Sequence, residues 1–297
     1  MKDLGRLITA MVTPFDDEGK LDYEQAKKLA LACLNSGSDG LVLSGTTGES
    51  PTLTHDEELK LYTDVRAAVG QRGSIIAGTG SNSTLEAIEA TQGAEKVGVD
   101  ACLLVTPYYN KPTQEGLFQH FKAIADNTRL PCILYNVPSR TVISLSSETV
   151  IRLSQISNII GIKEASGNME EIGKIIAGAK KGFIVWSGND ADTLPMMSIG
   201  GYGIISVASH LVGNQMKKMI SNYLAGKVNE AAAIHLNLMP LMKVLFIVSN
   251  PIPVKYALNQ TGFRVGKPRL PLVEPDAKSA AQIKETLKNY KIDLPLN

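Results

Sequence analysis

Cysteine is scarce: Cys33, Cys102 and Cys132 are all that 297 residues contain. An odd count with no C-x-x-C spacing leaves no disulfide framework and no cysteine-based zinc site to build on. Each sits among apolar neighbours, so the thiols are expected to be buried and reduced, as in a reducing compartment. Charge of one sign is equally missing. Thirty Lys and Arg against 29 Asp and Glu leave a formal net charge of +1. No basic run exceeds short pairs such as Lys180-Lys181, which offers little to a nucleic-acid backbone. Long apolar runs are absent too, since even 238–248 contains Lys243, and a membrane span needs roughly 18 uninterrupted apolar residues. The run 7–12, ahead of Asp16-Asp17-Glu18-Gly19, is too short and too poorly flanked for a signal peptide. These absences predict a soluble, cytoplasmic chain with neither nucleic acid nor membrane as partner.

What is present is an alternation. The chain is 44% apolar, enough for a sizeable core. Short β-branched runs recur at 7–12, 40–43, 74–78, 101–106, 132–136, 159–163, 184–187 and 203–207, each followed by a helical pattern. Most are continuously apolar without in-out alternation, as expected of a parallel sheet covered by helices. Helix starts are marked as well. Thr54-His55-Asp56-Glu57 and Ser83-Thr84-Leu85-Glu86 fit the capping box, and Asp22 precedes another helical stretch. Eight such units match a (β/α)₈ TIM barrel, which typically takes about 250 residues. A doubly wound open sheet is the competing α/β arrangement, but no G-x-G-x-x-G follows the first run. After Gly226 the strand signals stop. The stretch 228–249 is expected to be mostly helical, broken or kinked at Pro240, and Asn250-Pro251-Ile252-Pro253 forms a rigid joint before further helices around 254–259 and 277–289. Residues 1–226 are thus expected to form the barrel and 227–297 a C-terminal helical extension.

In a barrel the reacting groups sit at the C-terminal ends of the strands, and here those ends are polar. The second ends in Ser44-Gly45-Thr46-Thr47-Gly48-Glu49-Ser50, the fifth in Tyr135-Asn136-Val137-Pro138-Ser139-Arg140-Thr141, and the sixth in Lys163-Glu164-Ala165-Ser166-Gly167-Asn168. Lys163 shares a strand face with Gly161; if that face lines the barrel, the glycine leaves space near the amine. Burying an ammonium is costly, which favours the neutral amine as a nucleophile toward carbonyls. The alternative is a rim lysine that pairs with a carboxylate or snorkels outward. Tyr135 ends the neighbouring strand, either as a half-buried packing residue or as a phenol that moves protons beside the amine. Thr46 and Thr47 offer hydroxyls and backbone N–H groups suited to a carboxylate, or simply form a glycine-supported turn. Arg140 is suited to bidentate carboxylate binding, with an exposed loop arginine as the alternative. The four histidines, His55, His120, His210 and His235, are scattered without an H-E-x-x-H pattern, so no metal site is expected.

At these residues the sequence resembles the dihydrodipicolinate synthases, pyruvate-dependent class I aldolases of the lysine pathway within the N-acetylneuraminate lyase superfamily. GTTGES and GIKEASGN place it in the superfamily, and YNVPSRT points to the synthases, because sialic acid lyases lack the arginine in that loop. The resemblance implies an imine between Lys163 and pyruvate, with no cofactor. It implies that Thr46 and Thr47 hold the pyruvate carboxylate, and that Tyr135, Thr47 and Tyr109 relay protons, with Tyr109 reaching in from a neighbouring subunit of a homotetramer. It further implies that Arg140 positions the carboxylate of aspartate semialdehyde, while Gly188 and the Ile205 carbonyl line the pocket. The family's lysine-effector site maps onto Ser50, His55, Asn82, Glu86 and Tyr108. Pro51 and Glu58 depart from feedback-sensitive members, where a histidine matches Glu58; an acidic group there changes the charge and hydrogen bonding of the site, so the resemblance leaves inhibition by lysine open.

Two other functions fit parts of this pattern. A related pyruvate lyase or 2-keto acid dehydratase would share Lys163 but not need Arg140. A non-catalytic lysine-binding or scaffold barrel would keep Asn82, Glu86 and Tyr108 without needing Lys163, Tyr135 and Thr47, all of which are present.

Overall fold

The computed structural model describes residues 3–295. Eight strands, β1 (Leu7–Ala10), β2 (Gly40–Leu43), β3 (Ser74–Gly78), β4 (Ala101–Val105), β5 (Cys132–Asn136), β6 (Ile159–Glu164), β7 (Ile184–Ser187) and β8 (Gly203–Ser206), pair in parallel in chain order. β8 returns onto β1 through Ile205 and Ile8, which closes a TIM barrel and excludes the open sheet. The apolar runs at 7–12, 101–106 and 203–207 overshoot their strands by one or two residues, because the chain there already turns into the upper loops. β6 extends one residue beyond expectation, through Glu164.

Both faces of every strand are covered, so the in-out alternation hidden in the sequence emerges only in three dimensions. Leu7, Leu41, Leu43, Ile75, Cys102, Leu134, Ile162 and Ile204 pack outward against the helices. Ile8, Val42, Ile76, Leu103, Ile133, Tyr135, Trp186 and Ile205 fill the barrel interior. All three cysteines are free and buried, and burial raises the Cys33 thiol to about 12.

The shell comprises α1 (Tyr23–Asn35), α2 (His55–Val69), α3 (Thr84–Val97), α4 (Gln114–Asp126), α5 (Pro138–Thr141), α6 (Ser147–Leu153), α7 (Met169–Gly178), α8 (Thr193–Ser198) and α9 (Ser209–Leu224). The caps explain where several of these begin. Asp22 accepts from the Gln25 N–H, and Thr54 and Glu57 form the reciprocal capping box. Ser83 caps α3 at the Glu86 N–H, but the Glu86 carboxylate takes the Ser81 hydroxyl at 2.8 Å instead of closing a box. The segment after β5, expected as a loop, is the single turn α5, with Pro138 at its start and Arg140 on it.

Beyond Gly226 come α10 (Val228–Val244), α11 (Ile252–Gln260) and α12 (Ala277–Leu287). Pro240 neither ends nor breaks α10. The residue four positions back, Leu236, is 68% exposed, so water can satisfy the carbonyl that proline leaves without a donor. The helix ends at Val244, five residues short of expectation, and the chain from there brings Asn250 to the rim of the barrel. Leu238, Leu241 and Leu258 join the same apolar cluster as Met219 and Ile220 of α9. Among the described residues, no helix is long and apolar enough to cross a membrane.

Candidate active site

Lys163 stands opposite Tyr135 in the β5–β6 register. Both side chains point into the barrel and are only 6% exposed. The Lys163 Nζ lies 4.3 Å from the centroid of the Tyr135 ring, within cation–π range. Gly161, expected to leave space for the amine, serves another purpose. A Cβ there would lie 2.4 Å from the Ile184 carbonyl oxygen and 2.8 Å from the Trp186 indole, so its bareness admits β7 and the tryptophan. The space near the amine comes from Gly188, where a Cβ would meet Ala165 Cβ at 2.6 Å and Lys163 Cε at 3.2 Å. Ile205 lies fully buried in the same interior cluster as Tyr135.

Two carboxylates flank this lysine without an ion pair to it. Glu164 accepts from the Ser166 N–H at 2.7 Å and from Asn136 Nδ2 at 3.0 Å, and burial raises its pKa. Asp190 accepts from the Ser206 hydroxyl and from the Val207 and Ala208 N–H groups. Burial raises the Asp190 pKa against those bonds and against the nearby Lys163 charge. Both are tied to backbone turns, and neither pairs with the amine.

The chain after β2 folds into a tight turn, with Glu49 donating its N–H to the Thr46 carbonyl at 3.2 Å. Ser44 (φ +45°) and Glu49 (φ +58°) both adopt the left-handed region, which costs a non-glycine residue about 1–3 kcal/mol and needs support from its surroundings. Among the described residues, the N–H groups of Thr46 and Thr47 donate no hydrogen bond within the protein, so both remain available to an anion. Support for the turn comes from the C-terminal extension. Lys255 Nζ reaches Glu49 Oε1 at 2.7 Å in full burial, and the Arg269 N–H donates to Glu49 Oε2 at 2.9 Å. The Arg269 guanidinium grips both oxygens of Glu57 at the start of α2. Burial pulls the Lys255 amine down to about 8 against the attraction of Glu49. None of these residues was selected from the sequence; the available signal was Glu49 itself, inside GTTGES.

Arg140 is exposed on α5, with one nitrogen, Nη2, donating to the Asn250 carbonyl at 3.0 Å. Asn250 Nδ2 in turn donates to the Thr47 hydroxyl at 2.9 Å. The structure therefore joins Thr47 to Arg140 through a residue that the sequence marked only as part of a joint. It does not join Thr47 to Tyr135 by a hydrogen bond. Tyr109 (φ +73°) is 90% exposed, so within a single chain its phenol stands in solvent, away from the buried Lys163.

A cavity of about 410 Å³ opens between the GTTGES turn and α3. Ser50, His55, Glu86 and Tyr108 line it together with Pro51 and Glu58. Asn82 sits behind it, donating from Nδ2 to the Tyr108 carbonyl at 3.1 Å. Burial raises the Glu58 carboxyl to about 8, with a Ser44 hydrogen bond opposing and the Glu57 charge adding to the rise. No three His, Cys, Asp or Glu side chains among the described residues are grouped to hold a metal ion.

Comparison with known proteins adds to this geometry. Residues 3–290 match the model of the dihydrodipicolinate synthetase family. A curated 4-hydroxy-tetrahydrodipicolinate synthase of Dehalococcoides mccartyi is 65% identical over 296 residues, covering 100% of both chains. Among solved structures, DHDPS from Cyanidioschyzon merolae with lysine bound has a TM-score of 0.95 at 46% identity, over 96% of this chain and 98% of that one. The chloride-inhibited dihydrodipicolinate synthase from Acinetobacter baumannii, complexed with pyruvate, has a TM-score of 0.94 at 40% identity, over 97% and 99% respectively.

Proposed function

The chain belongs to the dihydrodipicolinate synthetase family, and from that premise we propose that Lys163 condenses pyruvate with L-aspartate 4-semialdehyde through a covalent imine. The protein is an enzyme, a carbon–carbon bond-forming lyase of the diaminopimelate route to lysine. The observation that carries the proposed mechanism is the buried Lys163 amine held against Tyr135 beneath a rim of carboxylate-binding groups.

In this reading the amine of Lys163 adds to the keto carbon of pyruvate, and water leaves as the imine forms. The N–H groups of Thr46 and Thr47 take the pyruvate carboxylate. Loss of a methyl proton gives the enamine, and Tyr135 and Thr47 shuttle the protons that addition, dehydration and enamine formation require. The enamine carbon attacks the aldehyde of the semialdehyde, whose carboxylate is held by Arg140. The product's own amine then attacks the imine carbon, closing the ring and expelling Lys163. Gly188 leaves the reacting carbon room beside the lysine stem, and Ile205, from the same interior, is assigned to the pocket lining through its carbonyl. The exposed Tyr109 belongs in this reading to the interface of a homotetramer, where it enters a neighbouring subunit's site. Full activity in a monomer by light scattering would contradict that exchange.

The cavity around Ser50, His55, Glu86 and Tyr108, with Asn82 behind it, is assigned to a lysine effector, a reading supported by the lysine-bound relative. Adding lysine to a coupled assay tests it. The free thiols accord with a cytoplasmic location.

The deciding experiment for the mechanism is borohydride reduction in the presence of pyruvate, followed by peptide mass spectrometry. A reduced pyruvate adduct on Lys163 is expected. No adduct, or one on another lysine, removes the mechanism.

A further inference from the structure

Thr47 and Arg140 leave the barrel at the ends of β2 and β5, three strands apart, yet one side chain and its own carbonyl connect them. Asn250 is 6% exposed. It donates through Nδ2 to Thr47 Oγ1 at 2.9 Å and receives Arg140 Nη2 on its backbone carbonyl at 3.0 Å. Its Oδ1 is buried with no hydrogen-bond partner, so the amide is retained at the expense of an unsatisfied acceptor. A residue serving only to pack would avoid that loss with an apolar side chain. With one lone pair of Thr47 Oγ1 occupied by Asn250, the threonine's own proton is directed elsewhere.

We propose that Asn250, from the C-terminal extension, is a positioning residue that fixes the Thr47 hydroxyl for pyruvate and sets Arg140 in register with it, coupling the two carboxylate-binding halves of the site. This rests on the reading of Thr47 and Arg140 as substrate-binding groups. It makes the joint ahead of α11 a working part of the site. The side-chain half of the coupling is separable by mutation, because any substitution at 250 keeps the carbonyl that holds Arg140.

The test is pyruvate-dependent borohydride trapping at Lys163, measured against pyruvate concentration, in wild type, Asn250→Ala, Asn250→Asp, Thr47→Val and Thr47→Val combined with Asn250→Ala. Aspartate keeps the size but cannot donate when ionised. Both Asn250 variants are expected to raise the half-saturating pyruvate concentration about tenfold, the scale of one buried hydrogen bond. The double variant is expected to be no worse than Thr47→Val alone, because partners in one interaction are not additive. A structural residue would instead lower the fraction of trappable sites and leave half-saturation unchanged. Unchanged half-saturation in both variants, additive effects with Thr47→Val, or failure of both Asn250 variants to fold would overturn the proposal. Absence of the adduct in wild type would instead sink the imine mechanism, so the two failures are distinguishable.

Discussion

Lys255 Nζ lies 2.7 Å from Glu49 Oε1, and neither side chain is in contact with solvent. The same amine also donates to the Thr13 and Lys267 carbonyls at 3.0 and 3.1 Å and stands over the Phe15 ring. A fully hydrogen-bonded buried pair adds little net stability over apolar replacements, but leaving one partner alone is expensive. The pair anchors the left-handed Glu49 beside the Thr46-Thr47 turn proposed to bind the pyruvate carboxylate, so its loss is expected to affect both stability and binding.

Lys255→Met is therefore expected to cost about 3–5 kcal/mol in urea unfolding. Lys255→Met combined with Glu49→Gln is expected to recover part of that, since no uncompensated charge remains. A cost below about 1 kcal/mol for the single variant would show that the site is more hydrated than the geometry indicates.

Arg140→Ala separates the two substrates. Trapping of pyruvate on Lys163 is expected to persist, while turnover of aspartate semialdehyde falls about 100-fold or more, the scale of losing a charge-assisted carboxylate contact. A parallel loss of trapping would place Arg140 in the pyruvate half instead.

Gly188→Ala puts a methyl group 2.6 Å from Ala165 Cβ and 3.2 Å from Lys163 Cε. Overpacking of this kind costs about 1–3 kcal/mol in stability. The expected signature is slower imine trapping in a protein that still folds. Trapping at the wild-type rate would mean that the lysine stem has slack.

His210 sets an acid limit. Its Nε2 accepts the Val12 N–H at 3.1 Å while Nδ1 lies 2.8 Å from the Val207 carbonyl, an arrangement that requires the neutral ring. Burial lowers its pKa to about 4 from the ordinary imidazole value of 6.5. Between those values the unfolded chain binds the extra proton and the folded one does not, so the contribution is complete above about 6.5 and lost as pH falls toward 4. The full loss is on the order of 3 kcal/mol, of which about 2 kcal/mol falls between pH 7 and pH 5. Urea midpoints at those two pH values measure that part, and His210→Gln should shrink the difference, leaving the share of His120, which burial also lowers to about 4.

The eight strand segments and the polar ends that carry Thr46, Thr47, Tyr135, Arg140 and Lys163 were legible because barrel strands are short, apolar and punctuated, and because a lysine closing such a strand is anomalous. Gly161 was misjudged because strand alternation identifies a shared face but not the neighbour that fills it; Trp186, from the next strand, took that space. α5 was missed because one turn is too short to show helical periodicity. The roles of Asn250, Lys255 and Arg269 beside the site were invisible for a further reason: their partners, Thr47, Glu49 and Glu57, are more than 200 residues away.

The sequence by itself determined the alternating architecture, the residue types at the strand ends and the family they match, because those properties depend on local pattern. Only the tertiary structure decided which strand face is the interior, that Gly188 makes the room beside Lys163, and that the C-terminal extension clamps the turn after β2 through Glu49. Those outcomes depend on barrel closure and long-range contact, which strand spacing and helix periodicity do not specify.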